Sequence, residues 1–159
     1  MLDWLRRKVV VAATQTQKRE MTAWIDNLSQ MNSDEVAALL GMATHQRKWI
    51  EAEQGVNLLD PIVAYTAQPN LLMFLHGVIQ SCQKSNRQME AAGVMVWLFT
   101  LRAGANLELR GLGRRLWREL ARGVPGAEQA ATGYFVLTHV LLDIDGFEQM
   151  PIGLEPEPI

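Results

Sequence analysis

Residues Ala91–Leu101 read AAGVMVWLFTL, eleven positions without a charge, followed at once by Arg102 and then Gly104. A helix on a protein surface breaks such a run with polar residues every third or fourth position. This one is apolar all round and must be enclosed by other elements. It is too short to span a bilayer, which takes about 20 apolar residues. Core burial is the remaining account of its length. Elsewhere, β-branched alternation is scarce apart from Val9–Val11, and no Asn-Gly hairpin dipeptide occurs. The expected fold is therefore all-α: a single-domain bundle of six or seven helices around a buried central helix at about residues 89–103.

A chain of 159 residues, 48% apolar and 20% charged, is long enough to bury one core and has the balance of a globular protein. The domain is expected over residues 1–144, with residues 145–159 as an acidic, Pro-containing, extended or disordered tail. A formal net charge of -2 excludes a chain that binds polyanions along its whole surface. Cys82 stands alone, so there is no internal disulfide, which fits a reducing, cytoplasmic setting. The start, MLDWLRRKVVVAATQ, carries a basic cluster and a short apolar patch. It lacks the long apolar run and cleavage site of a secretory signal.

Taken in order, Leu2, Leu5, Val9, Ala12 and Ala13 share one face of a first helix, and Met21, Trp24, Ile25 and Leu28 repeat the spacing. Thr14–Gln17 between them is either a break or an exposed turn of one long helix. Asn32, with Glu35 three residues on, is in capping-box register for a helix ending near Gly55. A short helix is expected between Asp60-Pro61 and Gln68-Pro69, and Asn70 can cap Leu71–Cys82. Leu109, Leu112, Leu116 and Leu120 make a further stripe, interrupted by Gly111 and Gly113, so that this helix starts either before the glycines or at Leu112. A last helix spans about Ala127 to Ile144, with Tyr134, Leu137, Leu141 and Ile144 on one face. The five tryptophans and eight methionines read as core or interface filler.

Catalytic and metal signatures are weak. His45, His76 and His139 lack the Glu-x-x-His pairing of a di-iron bundle. His139 and Asp143, at i and i+4, are the nearest thing to a chelating pair, with His76 or Cys82 as further ligands, but a buried histidine bonded to a carboxylate or carbonyl explains them better. Asp143-Ile-Asp145-Gly146 fails as a calcium loop because its glycine comes early and no acid follows at the twelfth position. Gly111-Leu-Gly113 lacks a third glycine and a preceding strand. No catalytic residue, metal site or cofactor is assigned.

Two features stand above this background. From Arg102 to Arg122 there are six arginines against two acids, Glu108 and Glu119. Arg114, Arg118 and Arg122 fall at i, i+4 and i+8, with Arg115 adjacent, and Arg110 joins them if the helix runs through both glycines. Guanidinium groups in a row suit carboxylate or phosphate partners. A solvated face is the plainer reading. A third is internal, since the segment from Asp143 onward carries five acids and no base and can fold back on the ladder or onto a second copy.

The second feature is Ser33–Ile50, SDEVAALLGMATHQRKWI. Val36, Ala37, Leu40, Gly41, Met42 and Ile50 give it a pattern that resembles a helix-turn-helix DNA-binding motif. The resemblance implies a turn at Gly41 and a second helix opened by His45, Gln46, Arg47 and Lys48, where base and phosphate contacts are made. Arg47 departs from it, standing where a buried apolar residue is expected. One continuous amphipathic helix explains the same residues. The N-terminal helix, with Leu2, Trp4 and Leu5 beside Arg6, Arg7 and Lys8, offers a marginal membrane contact, and packing within the fold explains it better. The function expected is that of a non-catalytic protein–protein interaction module, an adaptor or regulatory subunit. Arg114, Arg115, Arg118 and Arg122 would face an acidic protein surface or a second copy in a homodimer. Nucleic-acid binding, through residues 33–50 or the arginine face, is the alternative.

Overall fold

The computed structural model describes residues 2–60, 63 and 68–121. The short helix expected between Asp60-Pro61 and Gln68-Pro69, the last helix at 127–144 and the acidic tail at 145–159 lie outside the described residues. Among those described the fold is all-helical, with no strand. It comprises α1 (Leu2–Ser29), α2 (Ser33–Gln54), α3 (Pro69–Lys84), α4 (Gln88–Ala105) and α5 (Arg110–Ala121), with a 3-10 turn at Leu107–Leu109 leading into α5. No helix among them is long and apolar enough to cross a membrane.

The sequence signals explain the helix ends. At the start of α2 the Asn32 Oδ1 accepts from the Glu35 N–H at 2.9 Å, while its amide donates to Glu35 Oε1 at 2.8 Å. Two otherwise orphaned groups are satisfied reciprocally. Gly55 closes the helix with φ 62° and donates to the Glu51 carbonyl, a left-handed cap that suits a residue without Cβ. The start of α3 differs from expectation: the cap is Gln68, with no side-chain bond, and Pro69 rather than Asn70 opens the helix. The preset φ of proline and its missing N–H favour that first position.

Two ambiguities resolve toward longer helices. α1 is unbroken through Thr14–Gln17, where Thr16 Oγ1 donates to the Ala12 carbonyl at 3.0 Å. α2 is likewise one helix through Met42–Thr44, so the turn implied by the helix-turn-helix resemblance is not formed. Gly41 is exposed on that helix. Its cost of about 1 kcal/mol relative to Ala is carried by a helix held at both ends and buried through Val36, Leu39, Ala43 and Ile50. Arg47, the misfit of that motif, is half-buried and pairs with Glu51 one turn on, at 3.4 Å.

From Val96 to Leu101 every residue of α4 is buried, as are Val94 and Ala103. α4 packs against α2, α3, α5 and the 3-10 turn, and α1 packs on α5. Its polar groups find partners inside: the Trp97 indole N–H donates to the Ala43 carbonyl at 2.7 Å, and Thr100 Oγ1 to the Val96 carbonyl at 2.6 Å. Edge-to-face contacts join Trp97 to Trp117 and Phe99 to Trp24, with centroids 5.7 and 5.5 Å apart. Close helix approach is allowed by two glycines. A Cβ on Gly93 would stand 2.9 Å from Met42 Cγ, and one on Gly113 would stand 2.6 Å from Ala103 Cβ. The second contact explains a glycine inside the leucine stripe: α5 runs unbroken from Arg110 because Gly113 lets it lie against α4.

Candidate functional site

Three of the arginines singled out by the sequence, Arg114, Arg115 and Arg118, lie on α5. Because α5 is continuous through both glycines, Arg110, Arg114 and Arg118 form the row at i, i+4 and i+8. Arg118 is exposed, while Arg110, Arg114 and Arg115 are half-buried. Arg115 turns aside and pairs with Asp26 on α1. Arg122 lies outside the described residues. On the adjoining face, Leu116, Trp117 and Leu120 are buried and fix the helix in the core. α5 carries four arginines and one acid, Glu119.

The residues of the nucleic-acid alternative do not share a surface. His45 and Lys48 are exposed, whereas Gln46 is buried, its amide 3.7 Å from Met42 Sδ, and Arg47 is engaged by Glu51. With no turn at Gly41, the second helix that would enter a groove does not exist as a separate element.

A site that local patterns did not reveal lies where α1, α3 and α4 meet. Arg102, the first charge after the apolar run, is only 10% exposed in its side chain and donates to Glu20 Oε2 at 3.1 Å. Its other terminal nitrogen meets His76 Nε2 at 2.5 Å. A guanidinium is donor only, so His76 Nε2 must accept, which makes the ring neutral with its proton on Nδ1. Partial burial of the ring, then the Arg102 charge, push His76 below its ordinary pKa against a smaller upward pull from Glu20. Below this clamp an apolar groove is floored by Trp24, Ile79, Met95 and Phe99, with Glu20, Asn27 and His76 at its rim. Residues 20, 76 and 102 share no local spacing. The one clue in the sequence is that a charge ending a buried helix needs a partner. A second groove is walled by Trp49 and Phe74, stacked at 5.7 Å, with buried Cys82 in its floor and Arg87 at its edge.

Among the described residues no three His, Cys, Asp or Glu side chains converge as a cation site. The pair His139 and Asp143 lies outside them. The N-terminal half of α1 departs from the expected packing. Met21, Ile25 and Leu28 are buried, but Leu2 and Val9 are 74% and 66% exposed, and Leu5 and Trp4 are exposed as well. Trp4 instead takes the Lys8 ammonium over its ring at 4.0 Å. The two apolar sets lie on different faces of one helix, and only the second reaches the core. No known protein family, curated protein or solved structure matches this chain.

Proposed function

We propose that the chain is a non-catalytic helical protein–protein interaction module, an adaptor or regulatory subunit, that receives an acidic partner surface on the outer face of α5. One observation carries the reading. α5 concentrates Arg110, Arg114, Arg115 and Arg118 against a single acid, on a helix whose other face is anchored by Leu116, Trp117 and Leu120. A guanidinium row on a rigid support binds carboxylates bidentately with little further ordering cost. In this reading the whole chain is a cytoplasmic single-domain bundle of six or seven helices around α4. Arg114 and Arg118 are the principal contacts, Arg122 extends them, and Arg115 serves chiefly to hold α1. The acidic surface belongs to another protein or to a second copy of this chain.

The test uses the purified chain as bait in a nuclease-treated extract of its source cells. A discrete protein should be retained, should elute as salt rises, and should be lost in the Arg114→Glu/Arg118→Glu variant whose helical content and melting match the parent. If the chain instead retains duplex DNA or RNA, with affinity falling steeply with salt, the arginine row is a phosphate reader and the adaptor reading fails.

A further inference from the structure

The groove walled by Trp49 of α2 and Phe74 of α3 has an aromatic end and a polar end. At the first, the two rings stack with centroids 5.7 Å apart and planes 23° from parallel. Trp49 is 40% exposed, so the indole keeps a free surface there. Val78 and buried Cys82 line the floor. Phe74 and Ser81 both line the groove and stand two helical turns apart on α3, so it runs about 10 Å along the helix axis. Its volume of ≈ 380 Å³ suits a small molecule, whose sites span about 300–1,000 Å³. Gly77 sits midway. A Cβ built there meets nothing within 4 Å, so the glycine costs about 1 kcal/mol of helix propensity without easing any contact. What its missing side chain leaves open is the middle of the groove.

The polar end holds one charge, Arg87, placed by the turn between α3 and α4. Asn86 takes φ 56°, a left-handed conformation open to asparagine. Its N–H donates to the Gln83 carbonyl at 3.1 Å, and the Arg87 N–H donates to the Cys82 carbonyl at 2.7 Å. These are the paired bonds of a Schellman turn, and they hold the arginine backbone against the last turn of α3. The C-terminus of α3 and the N-terminus of α4 meet here. Their end charges are opposite and offset each other, which leaves the guanidinium to set the sign of the groove. Among the described residues no acid lines it, and Arg87 has no carboxylate partner, whereas Lys18, Arg47, Arg102 and Arg115 each have one. We propose that this groove binds a small aromatic monocarboxylate. Its rings lie against Trp49 and Phe74, its body passes over Gly77, and its carboxylate is taken by the Arg87 guanidinium and the Ser81 hydroxyl. Aromatic rings suit the wall because stacking adds to apolar burial. A carboxylate suits a single guanidinium, which can bind both of its oxygens. A phosphate group brings more charge than one arginine offsets. The site is separate from the α5 arginine row and stands whether or not that row meets a partner.

An NMR titration of the full chain with 2-naphthoate tests the site. The acid should bind saturably, and 2-naphthalenemethanol, which keeps the rings without the charge, should bind more weakly by about tenfold or more. Arg87→Gln should weaken 2-naphthoate by about the same factor and leave the alcohol unchanged, because it removes only the charged contact. Gly77→Leu fills the groove and should abolish binding of both compounds. Its melting temperature should match or exceed that of the parent, since the helix gains propensity and the new side chain enters open space. Arg118→Gln on α5 should change neither affinity. No binding at millimolar 2-naphthoate, or equal affinity for the acid and the alcohol, overturns the proposal. So does affinity retained in Arg87→Gln or in Gly77→Leu, which would place the compound elsewhere, as in the groove floored by Trp24 and Phe99.

Discussion

Adding one methyl group at Gly113 sets two effects against each other. Within a helix, Gly→Ala gains about 1 kcal/mol from lower backbone entropy in the unfolded chain and better helix propensity. At Gly113 the new Cβ would stand 2.6 Å from Ala103 Cβ. Carbon atoms rest about 3.5–4.0 Å apart, so α5 and α4 must separate by about 1 Å. Ala103 has no rotamer that moves its methyl aside, and the shift is transmitted to the backbone. The Trp97–Trp117 contact at 5.7 Å lies across the same helix pair and is loosened with it. Overpacking of this kind costs about 1–3 kcal/mol, more where backbone must move. We therefore expect Gly113→Ala to destabilise by about 1–2 kcal/mol net, lowering the urea midpoint by roughly 0.5–1 M at constant slope. Gly111→Ala is the internal control, because Gly111 is exposed and has nothing within 4 Å of its notional Cβ. It should stabilise by up to about 1 kcal/mol. The added variant Ala103→Gly should relieve much of the Gly113→Ala cost in a double-mutant cycle. A Gly113→Ala protein as stable as Gly111→Ala would refute the close α4–α5 approach.

Two further outcomes follow from the same structure. Gly41→Ala should raise the urea midpoint, by about 0.5–1 kcal/mol in stability, because Gly41 is an exposed helical residue with open space around it; a loss of stability would mean that the residue forms a turn. His76 has its folded pKa held below 6.5, so the unfolded chain binds the proton first. Its neutral form contributes stability that is full above about pH 6.5 and is lost as pH falls through the lower folded value. Thermal melts from pH 7.5 to 5 should therefore show a decline that is smaller in His76→Gln, whose carbonyl can still accept from Arg102; an identical decline in the two proteins would remove His76 from the clamp.

Much of this architecture can be read from local chemistry, because helix ends and continuous burial are local facts. Asn32 with Glu35, Gly55, and the uncharged run from Ala91 each state their role within a few residues. Three other features depend on distance. The role of Gly113 is visible only once Ala103 is known to lie opposite, since the sequence shows a propensity cost without its cause. Glu20, His76 and Arg102 come from three helices and have no common spacing. The two faces of α1 carry the same periodicity, so the pattern alone does not say that Met21, Ile25 and Leu28 are buried while Leu2, Leu5 and Val9 are not.

That last contrast bears on how the first half of α1 stays helical. The second half is held by burial of Met21, Ile25 and Leu28 in the same core as Leu116 and Leu120. The ion pairs that join α1 to the 3-10 turn and α5 there, Lys18–Glu108 and Arg115–Asp26, each set a half-buried cation against an exposed carboxylate and contribute at most about 1 kcal/mol. Neither source extends to Leu2–Ala12. These residues include Val9, Val10 and Val11, each less favourable in a helix than alanine by roughly 0.5 kcal/mol, because β-branching restricts χ1. Helical segments of this length are marginal in water without a packed face. Extension from the buried half removes the nucleation cost, but each added residue then gains little. The Lys8–Trp4 contact adds about 0.5–1 kcal/mol at an exposed site, which is not enough to offset three valines. Burying Leu2, Leu5 and Val9 would add about 1.5–3 kcal/mol per side chain, and this exceeds the combined propensity deficit. A helix that begins at Leu2 is thus best stabilised by a cover on the face of Leu2, Leu5 and Val9.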